Sequence, residues 1–220
     1  AVRTAKKLAA AGTVSVWRDR PVRERDPTLE KPRHELSETQ AAAYDAIAAG
    51  LRKGKFAPFL LHGVTGSGKT EVYLRAIETA LERGRSALLL VPEIGLTPQL
   101  VRRFSARLGF EPVVTHSGLS EGQRLQAWAM AGNGLARLVI GTRSALFLPF
   151  TDLRLMILDE EHDASFKQFD PAPRYHARDA ALVRAQQGVI DASHHVGYRV
   201  GRVERLVGIH LAGQIGIGRD

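Results

Sequence analysis

The segment GVTGSGKT, residues 63–70, most constrains the fold of this chain, because it fits the phosphate-binding pattern G-x-x-x-x-G-K-[ST]. It follows a short apolar run, residues 59–62, and it opens an amphipathic stretch, GKTEVYLRAIETALERG. Glycines let the backbone curl so that successive N–H groups face a phosphate, and the start of a helix adds partial positive charge there. The order strand, loop, helix predicts a nucleotide site built from Gly63, Val64, Thr65, Gly66, Ser67, Gly68, Lys69 and Thr70.

Strand-like and helix-like segments alternate through the middle of the chain. Amphipathic stretches such as TPQLVRRFSARLG separate the apolar runs, and a glycine ends each stretch, as is typical just past a helix. This alternation predicts an α/β fold with a mainly parallel sheet and helices on both faces, whose ligands lie beyond the carboxyl ends of the strands. The predicted strands are residues 59–62, 87–91, 112–115, 137–141 and 153–158.

Composition limits the class of protein. The 220 residues contain no cysteine, which excludes disulfides and thiolate zinc sites, so zinc is not expected, and a cytoplasmic location is predicted. No apolar run approaches the roughly 20 residues that a membrane span needs. The net charge of +8 indicates phosphate-bearing partners, although a basic surface without such a partner fits the charge equally well.

An acidic cluster, Asp159 to His162, directly follows the apolar run at residues 153–158. A phosphate-binding loop needs a second acidic group to complete a magnesium shell, and Asp159 at the end of another strand suits that role together with Thr70. Glu160 would orient or deprotonate the attacking water. The alternative is a solvated turn, which the phosphate-binding loop makes the weaker interpretation.

Five blocks occur in order: GVTGSGKTEVY, LVPEIGLTPQ, GTRSALFLP, DEEHDASFKQ and RYHARDAALVRA. Together they resemble the first motor lobe of superfamily two helicases, and most of all the replication-restart primosomal helicase family. The resemblance covers residues 36–187 and implies a RecA-like, ATP-binding lobe. Residues 1–20 are similar to the end of that family's winged-helix domain, and the proline-rich, charged residues 21–35 are interpreted as a linker.

The resemblance assigns roles to individual residues. It implies that Lys69, Asp159, Glu160 and His162 are catalytic, with His162 coupling the nucleotide state to DNA. Gln40 occupies the position of an adenine-reading glutamine. Ser37 and Gln40 also form an S-x-x-Q capping box at a helix start, and the two interpretations of Gln40 are compatible.

The resemblance also implies contacts with DNA. Hydroxyl, amide and guanidinium groups in the second and third blocks can donate hydrogen bonds to phosphate oxygens. In SFKQFDPAPRYHAR, aromatic rings that can stack on unpaired bases alternate with cationic side chains that can bind phosphates. At least one of these rings is expected to pack the loop onto the lobe instead. The predicted DNA contacts are Thr97, Gln99, Thr142, Arg143, Ser144, Phe166, Lys167, Arg174, Tyr175 and Arg178.

The resemblance ends near residue 187. Residues 188–220 hold no Ser-Ala-Thr triplet, and we expect a divergent tail that reflects truncation or an altered reading frame. The resemblance to this family implies an ATP-dependent 3′-to-5′ DNA helicase that acts on single-stranded or forked DNA. It implies ATP and Mg²⁺ as cofactors, and primosome proteins and single-stranded-DNA-binding protein as partners. A second motor lobe normally supplies an arginine worth about 10³ to 10⁵ in turnover, so this chain is expected to bind nucleotide and hydrolyse it poorly. The alternatives are a binding module without turnover and another superfamily two translocase.

Overall fold

The computed structural model describes residues 34–64, 66–187 and 207–209. The predicted winged-helix remnant, most of the predicted linker and most of the predicted tail lie outside these residues. The helices are α1 (Glu38–Lys53), α2 (Lys69–Glu82), α3 (Pro98–Leu108), α4 (Glu121–Gly132) and α5 (Ala177–Gln187), and the strands are β1 (Ser86–Leu90), β2 (Val113–Thr115), β3 (Leu138–Gly141), β4 (Leu153–Leu158), β5 (Lys167–Gln168), β6 (Tyr175–His176) and β7 (Val207–Ile209).

A five-stranded sheet has the order β2-β3-β1-β4-β7, and each neighbouring pair in it is parallel. At its centre Leu89 of β1 lies opposite Ile140 on one side and Ile157 on the other. Strands β5 and β6 form a separate antiparallel ladder. The predicted α/β fold with a mainly parallel sheet is confirmed, and four of the five predicted strands appear within one residue of their expected limits.

The two faces of the sheet bury different side chains, because successive residues of a strand point to opposite faces. Leu89 and Ile157 pack into a core with α1, α2 and α3. Leu88 and Met156 pack on the other face against α5, the end of α4 and the loop that follows β3. Helices therefore cover both faces, as the near-continuous apolar strands predict.

The predicted strand at residues 59–62 is wrong. Among these residues only His62 makes an isolated bridge, and the described neighbour of β4 on that side of the sheet is β7. A strand exists only where a partner pairs with it, and an apolar run cannot specify the partner. The segment packs against α1 instead: a Cβ at Gly50 would lie 2.9 Å from the Phe59 ring, so glycine permits the close approach.

Local signals set the helix ends. Ser37 and Gln40 form a capping box at the start of α1, which confirms that interpretation of Gln40. Thr97 caps α3, and Gly109 ends it with φ 71°, a left-handed conformation that glycine adopts without strain. In the described part of the chain, no helix is long and apolar enough to cross a membrane.

A buried ion cluster joins α2 to α3. The Arg107 guanidinium donates to Glu78 over 2.8 Å and to Glu71 over 2.9 Å, and all three side chains are nearly inaccessible to solvent. Burial opposes the charged form of Arg107, but the hydrogen bonds and charges of Glu78 and Glu71 outweigh it and raise its pKa. The cluster fixes α3 against the helix that follows the phosphate-binding loop.

Candidate nucleotide and nucleic-acid site

The phosphate-binding loop leads directly into α2, whose first residue is Lys69. Gly66 and Gly68 have φ of 83° and 82°, which only glycine adopts readily, and they turn the chain tightly into the helix. At Gly63 a Cβ would lie 2.5 Å from Ser67 Oγ, so the absence of a side chain allows the loop to close. Thr65 lies outside the described residues.

Donor groups gather inside this loop. Lys69 Nζ donates to the carbonyl oxygen of Gly63 and lies 3.4 Å from that of Val64, so the ammonium group spans the loop. Ser67 Oγ is buried and, within the described residues, has no hydrogen-bond partner. A buried hydroxyl without a partner costs free energy unless a ligand or water satisfies it. Together with the partial positive charge at the start of α2, this donor set fits a phosphate group.

Gln40 connects α1 to this loop. Its Nε2 donates to the Ser67 carbonyl over 2.9 Å, while its Oε1 accepts from the Ser37 N–H over 3.1 Å. A Cβ at Gly68 would lie 2.4 Å from Gln40 Nε2, so the glycine also makes room for this amide. One side chain thus caps a helix and holds the phosphate-binding loop. Its contact with adenine stays a prediction.

Asp159 lies at the carboxyl end of β4, close to α2. Its N–H donates to the Leu90 carbonyl over 2.9 Å, and its Oδ1 accepts from the Tyr73 hydroxyl over 3.2 Å. Burial raises the pKa of Tyr73 well above its ordinary value, and the charges of Asp159 and Glu160 raise it further, so the phenol stays protonated and donates. The sequence patterns missed Tyr73, which carries no local signal beyond an aromatic residue on a helix.

The turn after β4 exposes two more of the predicted catalytic residues. Glu160 has φ 50°, a conformation that costs a residue other than glycine about 1–3 kcal/mol, and its carbonyl accepts from the Asp163 N–H over 2.8 Å. His162 is exposed in the same turn. Hydrogen bonds from Ser165 hold the pKa of Asp163 below its ordinary value and brace the turn. The carboxylate of Glu160 therefore lies at the surface beside Asp159.

The half-buried Arg143 braces the neighbouring loop. Its guanidinium donates to the carbonyls of Ser165 (3.2 Å) and Lys167 (2.6 Å) and lies 5.9 Å from the Tyr175 ring centre. Thr142 is 4% exposed, so its hydroxyl has little surface to offer a ligand, whereas Ser144 is exposed. Within GTRS, the Arg143 guanidinium is thus bonded to the protein's own carbonyls, while Ser144 is accessible to a ligand.

Phe166 is wrongly predicted as a DNA contact. Its ring is fully buried in the core between β4 and α5, where no base can stack on it. This ring packs the loop onto the lobe, as was expected of at least one. Tyr175 is half-buried and meets Phe147 edge to face at 5.1 Å, while Phe147 itself is 51% exposed. The sequence patterns missed Phe147, since an apolar residue in ALFLP is not distinguished from a core residue.

The cationic residues of this loop differ in their contacts. Arg178 pairs with Glu161 over 3.3 Å and with Asp179 over 2.9 Å, so its charge is balanced within the protein. The exposed Lys167 lies over the Phe169 ring at 4.6 Å, and Arg174 is exposed. These side chains border a cleft of about 990 Å³ between the β5–β6 ladder and α5. A basic and aromatic surface of this kind suits a single nucleic-acid strand.

Thr97 and Gln99 lie at the start of α3. The Thr97 hydroxyl accepts from the Leu100 N–H over 3.2 Å, which caps the helix, and Gln99 is exposed in the first turn. A capping hydroxyl keeps its own proton for donation, and the first N–H groups of a helix favour an anion. The geometry therefore leaves both residues available to a phosphate.

Comparison with known proteins identifies the family. The model for the DEAD/DEAH box helicase family matches residues 37–192, more than half of the chain. The chain belongs to the DEAD/DEAH box helicase family. The crystal structure of the DUF1998 helicase MrfA bound to DNA and AMPPNP superposes on 93% of this chain and 30% of that one, with a TM-score of 0.52 and 17% sequence identity. At that identity the likeness shows the fold alone.

The curated relatives confirm the resemblance to replication-restart helicases. The chain is 50% identical over 151 residues to Replication restart protein PriA of Bacillus subtilis (strain 168), covering 69% of this chain and 19% of the relative. It is 53% identical over 152 residues to the protein of that name from Haemophilus influenzae, covering 69% and 20%. The chain thus spans about a fifth of the length of these relatives.

Proposed function

We propose that this chain is the nucleotide-binding lobe, residues 36–187, of an ATP-dependent DNA helicase of the replication-restart type. The contact between Tyr73 and Asp159 carries this proposal, because it brings the start of α2 next to the end of β4. Lys69 would then meet the β- and γ-phosphates of ATP, and Thr70 and Asp159 would hold Mg²⁺. Bound Mg²⁺ would neutralise charge on the phosphates. Glu160, exposed beside Asp159, orients the attacking water.

The proposed DNA strand runs across the exposed polar and basic side chains near the carboxyl ends of the strands. Donors on α3 and on the loop after β3 bind its phosphates, while Tyr175 and Phe147 offer ring surface to its bases. The predicted contacts on this surface are the exposed Gln99, Ser144, Lys167 and Arg174 and the half-buried Thr97 and Tyr175.

Similarity to replication restart proteins supports the finer assignments. We infer 3′-to-5′ movement on single-stranded or forked DNA, primosome proteins and single-stranded-DNA-binding protein as partners, and a cytoplasmic location. His162 is assigned to coupling between nucleotide and DNA, as the family resemblance implies.

Binding of a fluorescent ATP analogue with Mg²⁺ tests the proposal. We expect saturable binding by the wild-type chain and its loss in Lys69→Ala, because the ammonium group would no longer meet the phosphates. Lys55→Ala, an exposed lysine just past α1, is the matched control and should bind as the wild type does. Absence of Mg²⁺-dependent binding in the wild type, or unchanged binding in Lys69→Ala, would overturn the nucleotide site.

A further inference from the structure

The carboxylate of Asp159 is held from a helix 86 residues away in sequence. The Tyr73 hydroxyl donates to Oδ1 over 3.2 Å, and the Tyr73 side chain is only 1% exposed. The main chain of Asp159 is fixed separately, by its N–H bond to Leu90. Backbone and side chain of Asp159 are thus each anchored by a different element.

Tyr73 shares one helix face with the two polar residues that open α2. It lies three residues after Thr70 and four after Lys69, and side chains at these spacings are neighbours on a helix. One rigid element therefore carries the ammonium group, the hydroxyl and the phenol. Any displacement of Asp159 relative to that helix would have to break the Tyr73 contact.

We propose that Tyr73 is a positioning residue that orients Asp159 toward Mg²⁺. The hydrogen bond from the phenol to Oδ1 restricts rotation of the carboxylate, which would present its oxygens to Mg²⁺. Residues that hydrogen-bond a metal-binding carboxylate restrict its orientation in this way. The inference rests on the proposed function, because it assumes that Mg²⁺–ATP binds between α2 and the end of β4.

A purely structural role for the Tyr73 hydroxyl makes a different prediction. Buried tyrosine hydroxyls commonly find a partner, and the bond then contributes only to stability. Tyr44 offers such a case close by: its hydroxyl bonds with Thr79 Oγ1 over 2.9 Å between α1 and α2, on residues outside the proposed site. Tyr44→Phe is therefore the matched control for Tyr73→Phe, since each change removes one oxygen and one hydrogen bond.

The test measures how Mg²⁺ supports nucleotide binding by the 220-residue chain. A fluorescent ATP analogue is held at fixed concentration while Mg²⁺ is titrated, and its affinity is also measured in EDTA. Tyr73→Phe should raise the Mg²⁺ concentration at half-maximal binding about tenfold, as loss of a residue supporting a metal ligand does, and should leave the EDTA value unchanged. Tyr44→Phe should match the wild type in both measurements.

Two results would overturn the role of Tyr73 while the nucleotide site stands. One is an unchanged Mg²⁺ dependence in Tyr73→Phe; the other is an equal shift in Tyr44→Phe. A wild-type chain that shows no Mg²⁺-dependent binding overturns the proposed function and this inference together. The two failures are therefore distinguishable.

A double-mutant comparison separates positioning from a general loss of stability. In an Asp159→Asn background, Tyr73→Phe should cause no further shift in Mg²⁺ dependence, because the carboxylate that it positions is already gone. A tenfold shift that persists in that background would show that Tyr73 acts elsewhere, and would overturn the proposal. Thermal unfolding of each variant establishes that it is folded.

Discussion

At the scale of single residues, neighbours of one chemical type have different roles. Glu160 and Glu161 follow each other in the turn after β4, yet Glu160 is exposed beside Asp159 while Glu161 pairs with Arg178. Arg143 and Arg174 belong to the same predicted DNA surface, yet the guanidinium of Arg143 is bonded to two protein carbonyls while Arg174 is exposed. Each pair supplies a variant and its matched control.

Glu160→Gln should abolish hydrolysis while leaving nucleotide bound. An amide cannot accept the proton of the attacking water, and loss of a general base typically lowers the rate about 10²- to 10⁴-fold. Single-turnover ATP hydrolysis with single-stranded DNA measures the effect, and Glu161→Gln should retain the wild-type rate. If a measurable wild-type rate survives in Glu160→Gln, the chain is better described as a binding module without turnover.

Arg143→Ala and Arg174→Ala should affect different properties. Losing the charged hydrogen bonds of Arg143 should lower the free energy of unfolding by about 1.5–3 kcal/mol, measured by urea denaturation. Arg174→Ala should leave stability unchanged but weaken binding of single-stranded DNA and reduce the slope of log affinity against log salt by about 0.7, the contribution of one phosphate. Wild-type salt dependence in Arg174→Ala would remove this residue from the proposed surface.

At the scale of secondary-structure elements, a capping hydroxyl stabilises the start of both α3 and α4. Thr97 caps α3 and Ser120 caps α4, each accepting a main-chain N–H with its hydroxyl. Only Thr97 belongs to the proposed DNA surface. Substituting each cap in turn therefore distinguishes the contribution of the hydroxyl to stability from its contribution to DNA binding.

Thr97→Ala and Ser120→Ala should each lower the free energy of unfolding by about 1 kcal/mol, because each leaves a helix N–H without its acceptor. Thr97→Ala should in addition weaken binding of single-stranded DNA, measured by fluorescence anisotropy, whereas Ser120→Ala should bind as the wild type does. Equal DNA affinities for the two variants would place the strand away from the start of α3.

At the scale of the whole molecule, nucleotide should stabilise the folded lobe, because the proposed site joins α1, α2 and the end of β4. At a ligand concentration 100 times its dissociation constant, the expected gain is about 2.7 kcal/mol. Thermal unfolding with ATP and Mg²⁺ should show a raised Tm for the wild type. Removal of Mg²⁺ with EDTA should reverse most of the increase, and Lys69→Ala should show none. A wild-type Tm insensitive to Mg²⁺–ATP would contradict a site spanning these elements.

Much of the architecture follows from local patterns in the sequence. Buried parallel strands are short apolar runs because both of their faces are covered, and this pattern predicted the positions of β1 to β4. A glycine after an amphipathic stretch predicted where α2 and α3 end. The segment at residues 59–62 has the same apolar character, but it is no strand, because strand formation depends on a partner that the segment itself does not encode.

Sequence patterns alone predict the phosphate-binding loop, the acid at the end of β4 and the capping box of α1, since each depends on residues a few positions apart. The contact of Tyr73 with Asp159 and the burial of Phe166 in the core could be seen only after folding had brought distant elements together. Whether a side chain is buried, paired or exposed depends on elements that lie far away along the chain. Tyr73 and Asp159, for example, are 86 residues apart in sequence.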